Sequence, residues 1–332
     1  MKKSRKIFYI AAAICIAVGL ALCTTAFAVV RGDFSKLSTT SPYEEKSVSY
    51  AVGELAGITL LDRNTSVRLE RSTDSEIHVT YFENAREEYR LSTSGGELRM
   101  EKVELNRWFD FIGINFNFQD TSVVIAVPED YKGWISLGTT NASLIASDLN
   151  LSGDLSLTST NNAIRVTSVA CIGHLKVETT NGGIDLVEVE AASIEGKSSN
   201  HSVVASQVKT TGDFILTTTN GGVDLDDVTA ADLAVQSSNH ALCAKAVITQ
   251  GRLEMRTTNG SIGVENVLPG QAVELVTTNS AIRGTILDRL EQYTIDSSTT
   301  NANKNLPDQY RGGPKSLIAR TTNGKIEIDF VG

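Results

Sequence analysis

Between residues 135 and 328 apolar and polar residues alternate with a step of two, and the alternation restarts about every twenty residues around Thr-Thr-Asn or a close variant. Taking the asparagine of each copy as position zero gives Asn141, Asn161, Asn181, Asn200, Asn220, Asn239, Asn259, Asn279, Asn301 and Asn323, spaced 20, 20, 19, 20, 19, 20, 20, 22 and 22 residues apart. Position −6 is apolar in every copy, from Ile135 to Leu317, position −4 in most, and position −2 is always Ser or Thr. Steps of two predict a strand with one buried face. The asparagine shares that parity, so its side chain is expected to point inward at the strand's end. Amides of successive copies would then stack ~4.8 Å apart and bond one another, as in other stacked β structures. A buried amide left unpaired costs ~1–3 kcal/mol, which requires the column to be continuous.

After the asparagine the phase changes. Positions +3 and +5 become apolar, as in Ile184 and Leu186, and a further apolar residue follows at +8, as in Val189. Gly182, Gly221, Gly260 and Gly324 at +1 suggest a corner that needs positive φ. Two strands and a short third side per repeat predict an all-β fold, a single-stranded right-handed parallel β-solenoid of about ten rungs over 135–332. The register occurs once more upstream, with Ile58, Leu60, Asn64, Val67 and Leu69. Residues 57–134 therefore read as a degenerate first rung interrupted by a β-hairpin cap, with strands in EIHVTYF, YRLSTSGGELRMEKV, FIGINFNF and TSVVIAVP. At the other end, Phe330 and Val331 are expected near the exposed last rung, and the polar stretch 304–316 is placed to fold over it.

The first thirty residues follow a different pattern. Met1 to Lys6 is basic, and Ile7 to Val30 is an uncharged apolar run of 24 residues. Its length suits a single transmembrane helix, with the basic tip in the cytoplasm and the bulk of the chain extracytoplasmic. Ala26-Phe27-Ala28 also has the small-x-small form of a signal-peptidase site, so secretion after cleavage near Ala28 is the alternative. Leu22 before Cys23 disfavours a lipoprotein anchor. Residues 31–56 read as a linker.

Charge narrows the partners. The formal net charge is −9. Four of the 30 basic residues lie in the first six positions, which leaves 26 − 39 = −13 for the remainder. Such a body disfavours nucleic acid. The expected partners are the membrane, through residues 7–30, and an unidentified surface ligand or envelope protein, with oligomerisation through the solenoid end also open.

Candidate chemistry is sparse. His201 and His240 both follow a repeat asparagine, but they sit two coils apart, ~9.6 Å at strand spacing, too far to share one ion. Asp185 and Asp224 in NGGIDL and NGGVDL do not repeat at the nine-residue period of calcium-binding β-rolls. Cys171 and Cys243 lie four coils apart and are expected to be unpaired. A threonine column at −1 has the look of an ice-binding face, yet Glu178, Lys197, Arg256 and Arg320 flank it, and β propensity with cross-coil hydroxyl bonding explains it better. No carboxylate pair or nucleophile with its base converges, so no catalytic residue, metal ligand or cofactor site is predicted. NRWFDFIGINFNF at 106–118 concentrates aromatics, and Trp108, Phe109 and Phe111 are a candidate partner-contact tip.

The stretch ERSTDSEIHVTYFENAREEYRLSTSGGELRMEK, then FNF, then VVIAVPEDYKGWISLGTTNASL, followed by the TTNG repeats, resembles a bacterial family of β-strand repeats known as "putative adhesin" or toast-rack-like domains. The resemblance spans about residues 50–332. It implies the fold and a place in the cell envelope, and it carries no catalytic residues. The function expected is a membrane-anchored, extracytoplasmic, non-catalytic binding or structural module. The alternatives are an envelope-stress signalling component that works through a membrane partner, and a glycan-active enzyme.

Overall fold

The computed structural model describes residues 2–31, 42–105, 119–129 and 131–332. The chain falls into two compact units. One comprises Met1–Glu44, Phe82–Glu88 and Val103–Thr121 and carries the helix Lys2–Val30. Within it the apolar stretch Lys6–Val29 is long enough to cross a membrane, and none of that surface is buried. The other comprises Glu45–Tyr81, Tyr89–Lys102 and Ser122–Gly332, and it is a stack of parallel β-coils.

In the stack the expected parities hold. The −6 and −4 residues of one coil lie directly over those of the next, for example Leu155 on Leu175 and Leu157 on Val177. On the second face Ile164, Val166 and Val169 lie over Ile184, Leu186 and Val189. All ten of these side chains are buried in one continuous apolar core. Apolar residues at spacing two supply that core from both faces, and each coil covers the strand edges of its neighbour.

The left-handed corner is not where the glycines suggested. Asp148, Ser168, Glu188, Gln207, Asp227, Ala246 and Asn266, all at +7, have φ between 51° and 57°. None of the glycines at +1 does. Those glycines answer a close approach instead. A Cβ on Gly182, Gly221, Gly260 or Gly324 would lie 1.7–1.9 Å from a carbonyl oxygen of the neighbouring coil. That carbonyl belongs to Asn162, His201, His240 or Ser280, so bulky and glycine corners alternate along this part of the stack.

The order of coils departs from the order of the chain at both ends. Gly57–Leu61 pairs in parallel with Trp134–Gly138 on one side and with Glu97–Glu101 on the other. Val67–Arg71 likewise lies between Leu144–Ala146 and Val123–Val127. The upstream repeat is thus a true coil inserted between the Asn141 coil and a further layer formed by Glu97–Glu101 and Val123–Val127. The interruption is therefore a stacked layer on both faces where hairpins alone were expected, although Glu76–Glu83 does pair antiparallel with Val123–Val127. The segment FIGINFNF lies outside the described residues. A strand, Glu44–Ala51, occupies part of the stretch read as a linker.

At the far end Lys315–Arg320 pairs with Ala272–Val276 and also with Tyr293–Ser298. The last coil in sequence is therefore the last but one in space, and the Asn301 coil is outermost. Lys304 and Asn305 close this end. Lys304 stands in the apolar +3 column, and its ammonium donates to the carbonyls of Ser297 and Leu306 and to the Ser297 hydroxyl. The Asn305 amide donates to the Ile328 carbonyl at 3.0 Å and accepts the Ile328 N–H at 3.0 Å, as a neighbouring strand would.

Each inserted coil is held by the same three residue types. Near the first, the Tyr89 hydroxyl donates to Asp62, whose other oxygen accepts the N–H groups of Asn64 and Thr65. Lys102 donates to Thr65 at 2.8 Å and lies 5.6 Å from the Tyr89 ring centre. Near the second, Lys315 donates to Asp288 at 2.7 Å and to the Pro269 carbonyl at 2.9 Å, 5.7 Å from the Tyr293 ring, while the Tyr293 hydroxyl reaches Asp288 at 3.4 Å. Such charge-assisted bonds fix register more firmly than apolar contacts alone.

Candidate binding surface

The repeat asparagines do line up, but on the outside. Ten Nδ2–H to Oδ1 bonds of 2.6–2.8 Å link Asn64, Asn141, Asn161, Asn181, Asn200, Asn220, Asn239, Asn259, Asn279, Asn323 and Asn301, in that spatial order. Each amide donates toward the preceding coil, so all the dipoles in the column point the same way. Every asparagine in it is exposed, where an inward position was expected. The reason is local. The strands end at −2 or −3, as at Ser159 and Arg256, and bend residues carry the asparagine round the corner, so strand parity no longer applies.

The inward polar column is the Ser/Thr at −2. Thr139, Ser159, Thr179, Ser198, Thr218, Ser237, Thr257, Thr277 and Thr321 are all buried. From Ser159 onward each hydroxyl donates to the +1 carbonyl of the adjacent coil, as Thr218 does to His201 at 3.3 Å and Ser237 to Gly221 at 2.9 Å. The same oxygen in most coils accepts the +1 N–H of its own corner, as Thr218 does from Gly221 at 3.1 Å. One buried hydroxyl therefore satisfies two corner backbone groups that no strand partner reaches. The invariant Ser or Thr at −2 was the available signal.

Beyond the corner, the left-handed column at +7 bends the second face into an open groove. A cavity of about 440 Å³ runs across four coils past Ser168, Glu188, Gln207 and Asp227, with Glu190 and Lys209 beside it. A second, of about 930 Å³, lies past Glu70, Arg71, Asp74, Glu129 and Asp148. Asp74 in this second cavity accepts the Glu76 N–H and a bond from His78, which together hold its carboxyl below the usual range. Carboxylates predominate along both. In the first cavity, Lys209 pairs with Glu190 at 3.1 Å, and on the first face opposite charges pair off as well. Arg252 and Arg256 reach Glu254 and Glu274, and Lys176 and Lys197 share Glu178.

His201 and His240 are exposed at alternate corners, and no group of three or more metal-ligating side chains converges among the described residues. Cys171 is buried and Cys243 exposed, both unpaired. Burial comes first in raising the Cys171 thiol above its ordinary pKa and in pushing the Tyr131 hydroxyl up to about 12. Trp108, Phe109 and Phe111 lie outside the described residues.

A repeat register of this kind, with its interrupted first coil, is matched by the model of the Toastrack DUF4097 family over residues 56–328. The chain belongs to that family. No curated protein matches this Toastrack chain. Among solved structures it is similar to a "putative adhesin" from Parabacteroides merdae, at 13% identity over 87% of this chain and 97% of that one, with a TM-score of 0.39. A "putative adhesin" from Bacteroides fragilis gives 13% identity, 86% and 97% coverage and a TM-score of 0.38. A "putative cell adhesion protein" from Clostridium sporogenes gives 9%, 87% and 100%, with 0.24.

Proposed function

We propose that this chain is a non-catalytic binding module of the bacterial cell envelope, held by the apolar helix at residues 7–30 with the solenoid on the outer side of the membrane. The observation that carries the reading is the groove along the left-handed column. Coil stacking repeats its outward side chains at strand spacing over consecutive coils, which suits an extended partner better than a small substrate. Its excess of carboxylates selects against polyanions and favours cationic or neutral partners. The helix supports the anchored arrangement, because it is long and apolar enough to cross a membrane.

The test uses the full chain in intact cells. A photo-crosslinking residue at Glu188 or Asp227 should capture one discrete envelope component, and the same residue at Thr158 on the first face should not. Equal capture from both faces would remove the groove from the reading. External protease that leaves the solenoid intact on whole cells, yet digests it after lysis, would remove the outward orientation. Glycan cleavage by the purified chain would remove the non-catalytic assignment.

A further inference from the structure

Four of the corner asparagines precede glycine: Asn181, Asn220, Asn259 and Asn323. This is the most labile dipeptide setting for asparagine, because glycine leaves its own backbone nitrogen unshielded by a Cβ. In the reaction the glycine nitrogen attacks the asparagine Cγ and a C–N bond forms. The Cγ–Nδ2 bond breaks, and the displaced nitrogen leaves as ammonia with the proton lost from the glycine amide. Water then opens the cyclic imide to aspartate or isoaspartate. The chain must bring nitrogen and Cγ together and must free the glycine proton.

The corner prevents both. The side-chain amide is held from two sides: Asn220 donates to Asn200 at 2.8 Å and accepts from Asn239 at 2.7 Å, so turning Cγ toward Gly221 breaks two bonds. The attacking nitrogen is held as well. The buried N–H groups of Gly182, Gly221, Gly260 and Gly324 donate to Thr179, Thr218, Thr257 and Thr321 at 3.1–3.3 Å. Backbone rotation is blocked too, since each glycine lies hard against the neighbouring coil's carbonyl.

We infer that these four Asn-Gly pairs are latent modification sites, silent while the coils stay stacked and reactive only when a coil opens locally. An aspartate in the column lacks the N–H that its preceding neighbour accepts, so reaction at Asn220 also frees the amide oxygen of Asn200 in the preceding coil. The exposed asparagine ladder thus protects the very pairs that compose it, and the accumulation of isoaspartate records local opening.

The test is peptide mapping of the full chain in detergent micelles, incubated in mildly alkaline buffer, beside synthetic peptides covering the same four corners. The folded chain should convert at each site at least about tenfold more slowly than its peptide, the factor that one net hydrogen bond supplies. Asn239→Ala removes, at an exposed position, the donor to Asn220 and the acceptor of Asn259, so it should raise conversion at both and leave Asn181 slow. Thr218→Val frees the Gly221 N–H and should act at the same site; if it unfolds the chain and accelerates all four sites, Asn239→Ala still decides. Conversion of the folded chain at the peptide rate, or an Asn220 rate unmoved by Asn239→Ala, would overturn the inference.

Discussion

Replacing Thr218 with valine keeps the shape of the side chain and removes its hydroxyl. The His201 carbonyl then loses its donor at 3.3 Å and the Gly221 N–H its acceptor at 3.1 Å. Thr218 is only 3% exposed, so water does not replace either bond. Two buried backbone groups left unsatisfied cost ~1–3 kcal/mol each, offset by ~0.8 kcal/mol for the added methyl. The expected loss is about 3 kcal/mol. Asn220→Ala removes two shorter bonds, of 2.8 Å and 2.7 Å, but at an exposed position where water takes their place. Its expected loss is about 1 kcal/mol. Denaturant unfolding followed by far-UV circular dichroism, with midpoint and slope compared in the same buffer, measures both. Equal losses, or a larger loss for Asn220→Ala, would refute the assignment of the corner's stability to the buried hydroxyl column.

Gly221→Ala should destabilise by more than about 3 kcal/mol, because the new Cβ has no room against the His201 carbonyl. Gly263→Ala, whose nearest atom would be 3.9 Å away, should stay within about 0.5 kcal/mol, both read as shifts in Tm. Burial pushes the Asp288 carboxyl up, but bonds from Lys315, the Arg289 N–H and Tyr293 outweigh it and hold it below the usual range. A depressed folded value means that its stabilisation is present above the unfolded value of ~3.9 and is lost as pH falls through the folded one, so Asp288→Asn should flatten the acid side of the stability profile below about pH 4. Asn305→Ala exposes the polar edge of Ile326–Phe330 and should produce concentration-dependent self-association in light scattering that the parent chain lacks.

Much of this architecture is legible in the chain because stacked coils impose one rule per position. Ile135, Leu155 and Leu175 announce the buried face, and Ile164 and Ile184 announce the change of phase. What the alternation could not show is where it stops applying. The strand ends two or three residues before each asparagine, as at Ser159 and Arg256, so carrying its parity on to the asparagines placed them on the wrong side. The glycines misled for a similar reason, since absence of a Cβ serves both positive φ and close packing, and only the neighbouring coil's carbonyl distinguishes them. Coil order at the distal end was hidden because spacings of 22 residues allow a coil to stack next in line or to skip a place. The residues that decide it, Asp62, Tyr89 and Lys102 at one end and Asp288, Tyr293 and Lys315 at the other, obey no period. For the groove, no single residue type marks the +7 column, whose members share only their backbone conformation.

The most direct test of this arrangement is a pair of engineered disulfides near the distal end, in a background with the four native cysteines replaced. Neighbouring parallel strands lie ~4.8 Å apart, within the Cα separation of ~4.4–6.8 Å that a disulfide accepts, whereas strands two coils apart do not. Ala272 faces Ser316, and Ser316 faces Thr294. Cysteines at 272 and 316 should therefore bridge on mild oxidation, and cysteines at 272 and 294 should stay reduced, as read by non-reducing peptide mapping. A bridge between 272 and 294, with 272 and 316 remaining reduced, would show that the coils stack in chain order and would contradict the inserted last coil.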